Sequence, residues 1–147
     1  MKHVGAGLCP PMLKDKALDK EKIIDLAKKA MERAYAPYSN FKVGAALRTR
    51  DGHVFTGSNV ESASYALSIC AERAAVAKAV SEGHRDFDEL VIVTDTEEPT
   101  SPCGACRQIL SEFNPDLSVR MIALKDGEKR KSLRELFPDP FRLKPRV

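Results

Sequence analysis

Cys70-Ala71-Glu72 is followed, 33 residues after Cys70, by Pro102-Cys103-Gly104-Ala105-Cys106, and this pairing constrains the fold more than any other feature. Cys103 and Cys106, three apart at the start of a helix, can turn both thiols toward one metal. Cys70, at the start of another helix, can complete the set only if the two helices begin side by side. Three protein ligands on Zn²⁺ leave the fourth position of a tetrahedral site open to water or substrate. Helix N-termini favour thiolates. Three thiolates nevertheless leave the metal core at net −1, and Arg73, next in sequence, is expected to hydrogen-bond a ligand sulfur and offset that charge. Glu72, two residues after Cys70, is expected beside the open position without occupying it, where a carboxylate can take a proton from water and deliver it to substrate.

The alternative is a closed structural zinc knob, in which Glu72 is merely an acid in a first helical turn. It needs a fourth ligand, and Cys9, His3, His53 and His84 lie in segments with no evident reach. Composition excludes other classes. The chain of 147 residues, 43% hydrophobic and 31% charged, suits one globular core. A net charge of +3 without a clustered basic face does not suggest nucleic-acid binding. No apolar run is long enough to span a bilayer, and no secretion signal is expected. Three of the four cysteines stand in metal-like spacing, which favours reduced thiols and a cytoplasmic location.

The remaining chain reads as a frame for this pair of helices. Residues 1–17 are expected to be a flexible arm, with Cys9 a free thiol, ahead of a single domain over 18–141 and a short basic tail over 142–147. Asp19 is a candidate N-cap, with Leu18 and Ile23 as a hydrophobic staple. Ile23, Ile24, Ala27, Ala30, Met31 and Ala34 form a helical stripe. Phe41–Thr49 and His53–Ser58 read as strands joined at Asp51-Gly52. His53, beside that turn, and His84, beyond Gly83, are expected in exposed loops. Residues 59–69 carry no dominant period. A helix is expected from about Cys70 to Gly83, a strand over Leu90–Val93, and a helix capped by Ser101 with Pro102 at its first position. Val119–Leu124 and Glu128–Lys131 form a last hairpin. Ser132 and Glu135 form a capping box for a final helical turn. The order predicts a three-layer α/β domain. The last two strands must be antiparallel, because a parallel pair needs a much longer crossover.

Beyond the zinc motifs, several blocks carry a resemblance: Ala36-Pro-Tyr-Ser-Asn-Phe-Lys-Val-Gly-Ala-Ala46, Asn59-Val-Glu61, Ile69-Cys-Ala-Glu-Arg73, Ala79-Val-Ser-Glu-Gly83, Ser101-Pro-Cys-Gly-Ala-Cys-Arg-Gln108, and Leu136-Phe-Pro138 with Phe141. In this order they resemble cytidine deaminase, the small homotetrameric nucleoside-salvage type, from about Tyr35 to Phe141. The resemblance implies an α/β/α fold with a mixed five-stranded sheet and one Zn²⁺ per subunit on Cys70, Cys103 and Cys106, with Glu72 as proton shuttle. It further implies Phe41 against the pyrimidine, Asn59 and Glu61 on the ribose 3′-hydroxyl, the Ala71 N–H on the base, and the Ser101 carbonyl near the departing amine. Ala63, Tyr65 and Phe141 fall where neighbouring subunits complete the site. The implied reaction is hydrolysis of cytidine and 2′-deoxycytidine to the uridines and ammonia, by attack of water at C4.

Three rivals remain. Superfamily members that act on nucleotides, tRNA adenosine or single strands typically use His where this chain has Cys70, and they carry a helix between the last two strands, for which residues 125–131 leave no room. A deaminase of a nucleoside antibiotic is a second alternative, and Phe41 with Asn59-x-Glu61 argues against it. The third is a non-catalytic zinc-stabilised binding module.

Overall fold

The computed structural model describes residues 19–146; the expected arm, Cys9 and the Leu18 half of the staple lie outside them. Helix α1 (Lys20–Glu32) starts at Asp19, whose carboxylate accepts from the Glu21 N–H. Its apolar stripe buries Ile23, Ala27 and Ala30 against the sheet, and complete burial of Ile23 alone is worth about 2 kcal/mol. Strands β1 (Val43–Thr49) and β2 (Val54–Ser58) form the expected hairpin. Helix α2 (Ala71–Ser81), strand β3 (Phe87–Thr94), helix α3 (Gly104–Phe113), strands β4 (Ser118–Ala123) and β5 (Glu128–Ser132), and the short helix α4 (Leu133–Leu136) follow.

The sheet order is β2-β1-β3-β4-β5. Only β3 and β4 run parallel, joined through α3; β4 and β5 are antiparallel as the short turn required. Strict alternation assigns each strand residue to a layer. Ala45, Leu47, Phe55, Leu90, Ile92, Val119 and Met121 point to the α2 and α3 side and form the larger core. Ala46, Val54, Val91 and Val93 point to α1. The three-layer expectation holds.

The differences are local and have physical causes. The third strand begins at Phe87 rather than Leu90, because Asp88 and Glu89 are neutralised across the sheet. Arg48 contacts Asp88 at 2.8 Å and Glu89 at 3.1 Å, and Arg120 lies 3.7 Å from Glu89. The third helix begins at Gly104 with Cys103 as its N-cap, so Ser101-Pro102, locally a good start, stays extended. Phe41 precedes the first strand, in a turn where Asn40 has φ 55°. Residues 59–69 contain a 3₁₀ turn over Tyr65–Leu67 and two bridges, Tyr35 to Val60 and Val60 to Ile69. His53 and His84, expected apart in exposed loops, are half-buried and in ring contact at 4.5 Å. The capping box of Ser132 and Glu135 is complete. Residues 142–146 are exposed and without regular structure, and among the described residues no helix is long and apolar enough to cross a membrane.

Candidate metal centre and active site

Helices α2 and α3 follow β2 and β3, and both begin at the carboxyl ends of those strands, the edge where open α/β sheets build their sites. Their first residues occupy equivalent positions. Cys70 caps α2 and Cys103 caps α3, both with extended backbone, while Cys106 follows on the first turn of α3. The Cys103 sulfur lies 3.6 Å from that of Cys70 and 3.5 Å from that of Cys106. A tetrahedral zinc with Zn–S bonds of about 2.3 Å separates its sulfurs by about 3.8 Å, so these three lie close to the edges of such a tetrahedron. Zinc fits the residues present.

The electrostatics suit the same ion. Cys70 is pushed down to about 5 by its hydrogen bond with Cys106, by Cys103, and by the adjacent Arg73, against the opposing pull of burial. Cys106 moves the other way, held protonated by its bond to Cys70 and by burial; metal binding must displace that proton. The Arg73 guanidinium donates to the Ser68 carbonyl at 2.8 Å. Its charge and its side-chain hydrogen bonding both help hold the Cys70 thiol down, in line with the expected link to a ligand sulfur.

Glu72 is 5% exposed. Burial pushes its carboxyl up to about 7, and the charge of Cys70 adds to this. A buried acid poised there can both accept and give a proton near neutral pH. It lines a cleft of 490 Å³ together with Phe41, Asn59, Glu61, Ala71 and Ser101. The residues expected to meet substrate thus share one concavity with Cys70 and Cys103, and buried Cys106 contacts Cys103 beside it. No hydrogen bond from the Ala71 N–H is present among the described residues, so it is open to an acceptor in the cleft.

Asn59 and Glu61 have a second task that their spacing did not reveal. The Asn59 side chain accepts from the Val43 N–H and donates to the Phe41 carbonyl, both at 2.8 Å. Glu61 accepts from the Tyr38 and Ser39 N–H groups at 3.0 and 3.1 Å and from the Ser39 hydroxyl. These bonds hold the Ser39–Val43 turn and with it Phe41, and they keep the Glu61 carboxyl below the usual carboxylate range, the Ser39 hydroxyl first among them. Asn59 retains a second amide hydrogen and a second lone pair for a ligand. Ser39 itself lines the cleft, and no sequence signal marked it beyond its place in the turn.

Of the residues assigned to neighbouring subunits, Tyr65 lines this chain's own cleft and reaches Glu61 at 3.4 Å. Ala63 and Phe141 are exposed and do not line it. The Phe141 carbonyl accepts from Gln108 at 2.9 Å, which ties the end of the chain to α3.

Comparison with known proteins agrees with this geometry. A cytidine deaminase of Sporosarcina psychrophila is 48% identical over 125 residues, 84% of this chain and 92% of its own. A crystal structure of cytidine deaminase from Burkholderia pseudomallei superposes with a TM-score of 0.81 at 47% identity, covering 84% of this chain and all of that one. A blasticidin-S deaminase of Bacillus cereus is more distant, 33% identical over 125 residues, 78% of this chain and 89% of its own. The family model for the cytidine and deoxycytidylate deaminase zinc-binding region matches residues 18–121. The paired helix starts, their three sulfurs and the match along both helices have one explanation: this chain belongs to the cytidine and deoxycytidylate deaminase family.

Proposed function

We propose that the chain hydrolyses cytidine and 2′-deoxycytidine to uridine and 2′-deoxyuridine with release of ammonia. The observation that carries this reading is the buried carboxyl of Glu72, raised to about 7, lining a 490 Å³ cleft with Cys70 and Cys103 while the Cys106 sulfur touches that of Cys103. Cys70, Cys103 and Cys106 would hold one zinc ion, which supplies a Lewis-acid position where water becomes a nucleophile near neutral pH.

Glu72 takes the proton of the attacking water and passes it to ring N3, which makes C4 electrophilic. It then carries the second proton to the amine, so one water enters and one ammonia leaves. Phe41 offers its ring face to the pyrimidine. The Ala71 N–H, at the positive end of α2, binds the base, and the Ser101 carbonyl faces the amine. Asn59 and Glu61 address the ribose hydroxyl, and a buried polar pair of this kind rejects analogues that lack it.

Five exposed apolar side chains support assembly into a homotetramer whose subunits complete one another's sites. Tyr35, Tyr38, Tyr65, Leu67 and Phe141 are each more than half exposed, apolar surface that subunit contacts would cover. A single domain over 18–141 and a cytoplasmic setting, which keeps thiols reduced, complete the proposal. Ammonia release from cytidine, deoxycytidine, CMP, adenosine and blasticidin S, measured side by side, tests it. Cytidine and deoxycytidine should exceed the others; faster turnover of CMP or of the antibiotic would overturn the substrate assignment, and zinc-loaded protein inert toward all five would indicate a binding module.

A further inference from the structure

At the end of α2 opposite Cys70, a second group of donor atoms converges that the deamination chemistry does not use. Asp51 and His53 come from the β1–β2 turn and His84 from the exit of α2, and one donor atom from each lies within 4.8 Å of the others. We propose that Asp51, His53 and His84 form a second divalent-metal site, taking Zn²⁺ on two imidazoles and one carboxylate and clamping the hairpin turn to the end of α2.

The donors match the ion: imidazole and carboxylate are ordinary zinc ligands, with bonds of about 2.0–2.2 Å. Nδ1 of His53 and Oδ1 of Asp51 are 2.9 Å apart; a tetrahedral cation with bonds of about 2.1 Å sets neighbouring ligands about 3.4 Å apart, so this pair opens by about half an ångström to take the ion. The two imidazole rings lie 4.5 Å apart between centroids, tilted by 50°, and with one donor atom of each residue within 4.8 Å of the others the three side chains are near enough to share one ion.

The backbone of each donor is already fixed. His53 donates its N–H to the Thr49 hydroxyl at 2.9 Å and its carbonyl accepts from the Thr49 N–H at 2.8 Å. The same hydroxyl donates to Asp51 and orients the carboxylate, the kind of outer contact that aims a metal ligand. His84 follows Gly83, whose φ of +90° ends the helix. The Gly83 N–H bonds the Val80 carbonyl at 3.0 Å and the His84 N–H bonds the Ala79 carbonyl at 2.9 Å, the paired closure of a left-handed cap. Phe55 backs the His84 ring at 5.1 Å. Asp51 is held down to about 2, chiefly by His53 and then by Thr49, so it is ionised at neutral pH. The neighbouring Arg50 is paired with Asp86 at 2.8 Å, which offsets its charge at the opening.

An 11-residue α2 separates this site from Cys70 by about 17 Å, so it binds independently of turnover. Calorimetric titration of Zn²⁺ into protein that already carries one zinc per chain reads the site directly. The expected result is a second equivalent bound in the micromolar range with a rise in Tm, both lost in His53→Gln and in His84→Gln, while cytidine turnover in each variant stays within about twofold. X-ray absorption of the second equivalent should show nitrogen and oxygen ligands without sulfur. If a His variant fails to fold, Asp51→Asn, at a solvent-facing carboxylate, should weaken the second equivalent at least tenfold. A titration that shows no second equivalent, one that persists in both His variants, or one lost in only one of them would overturn the site.

Discussion

Gly57 is where packing and chemistry are tied most tightly. It sits on β2 directly under the first turn of α2, and a Cβ built there lies 2.2 Å from the Ala71 carbonyl oxygen and 2.5 Å from the Ala75 nitrogen. Both obstacles are backbone atoms, so no rotamer can relieve them. An ordinary carbon–oxygen contact lies near 3.3 Å, so Gly57→Ala must push the start of α2 away by about 1 Å. Ala71 stands between Cys70 and Glu72, so that movement carries the proposed zinc ligand and the proposed proton shuttle with it. Metal–ligand distances tolerate about 0.2 Å, far less than the displacement. Overpacking costs about 1–3 kcal/mol, and for a domain of this size each kcal/mol lowers Tm by about 2–4 °C. A misplacement of about 1 Å costs turnover about a hundredfold. Zinc content by elemental analysis, Tm by calorimetry and initial rates of cytidine deamination read the three consequences. Gly104→Ala is the control, since a Cβ there meets nothing within 4 Å, and it should keep zinc and rate. Gly57→Ala protein with full zinc and a rate within twofold of the parent would refute the argument that this close approach sets the site.

Other outcomes follow from single contacts. Asn59→Ala strands the buried-side Val43 N–H and frees the Phe41 carbonyl; stability should fall by about 1–3 kcal/mol and KM for cytidine should rise more than kcat falls, in denaturant melts and steady-state kinetics. Glu89→Ala removes a carboxylate that is 4% exposed, while Arg48 keeps Asp88 and Arg120 keeps Glu128 at 2.8 Å, so a loss of about 1–3 kcal/mol is expected in urea unfolding. Asp51, depressed from 3.8 to about 2 by His53 and Thr49, contributes stability that is complete above its unfolded value and disappears as pH falls through its folded one. Asp51→Asn should therefore flatten the acid-unfolding curve between about pH 4 and 2, and an unchanged slope in that window would contradict the assignment.

The parts of this molecule legible from sequence were those fixed by local chemistry. Asp51-Gly52 set one hairpin, the brevity of residues 125–131 forced the other, and Ser132 with Glu135 capped the last turn because a capping box is complete within four residues. The zinc ligands were legible because thiols at Cys70, Cys103 and Cys106 have few other uses at that spacing. What stayed hidden depends on partners distant in sequence. The apolar run marked only Leu90–Val93, and the strand extends back over Asp88 and Glu89 because Arg48, 40 residues before Asp88, reaches across to them. Ser101-Pro102 read as a helix start because local rules cannot see that Cys103 must stay extended to aim its sulfur at Cys70. Asn59 and Glu61 looked like a solvated loop or pure substrate contacts, and their bracing of the Phe41 turn emerges only from tertiary hydrogen bonds. His53 and His84 each sit beside a turn glycine, and nothing in either segment announces the other.

The central claim is that Glu72 moves protons at a three-cysteine zinc site acting on cytidine. It is tested most directly by the turnover of cytidine by zinc-loaded Glu72→Gln, which keeps the side-chain volume and removes the titrating carboxyl. Zinc should remain at one per chain on the three cysteines while kcat falls by about 10²–10⁴. A rate within tenfold of the parent, with zinc in place, would contradict the account.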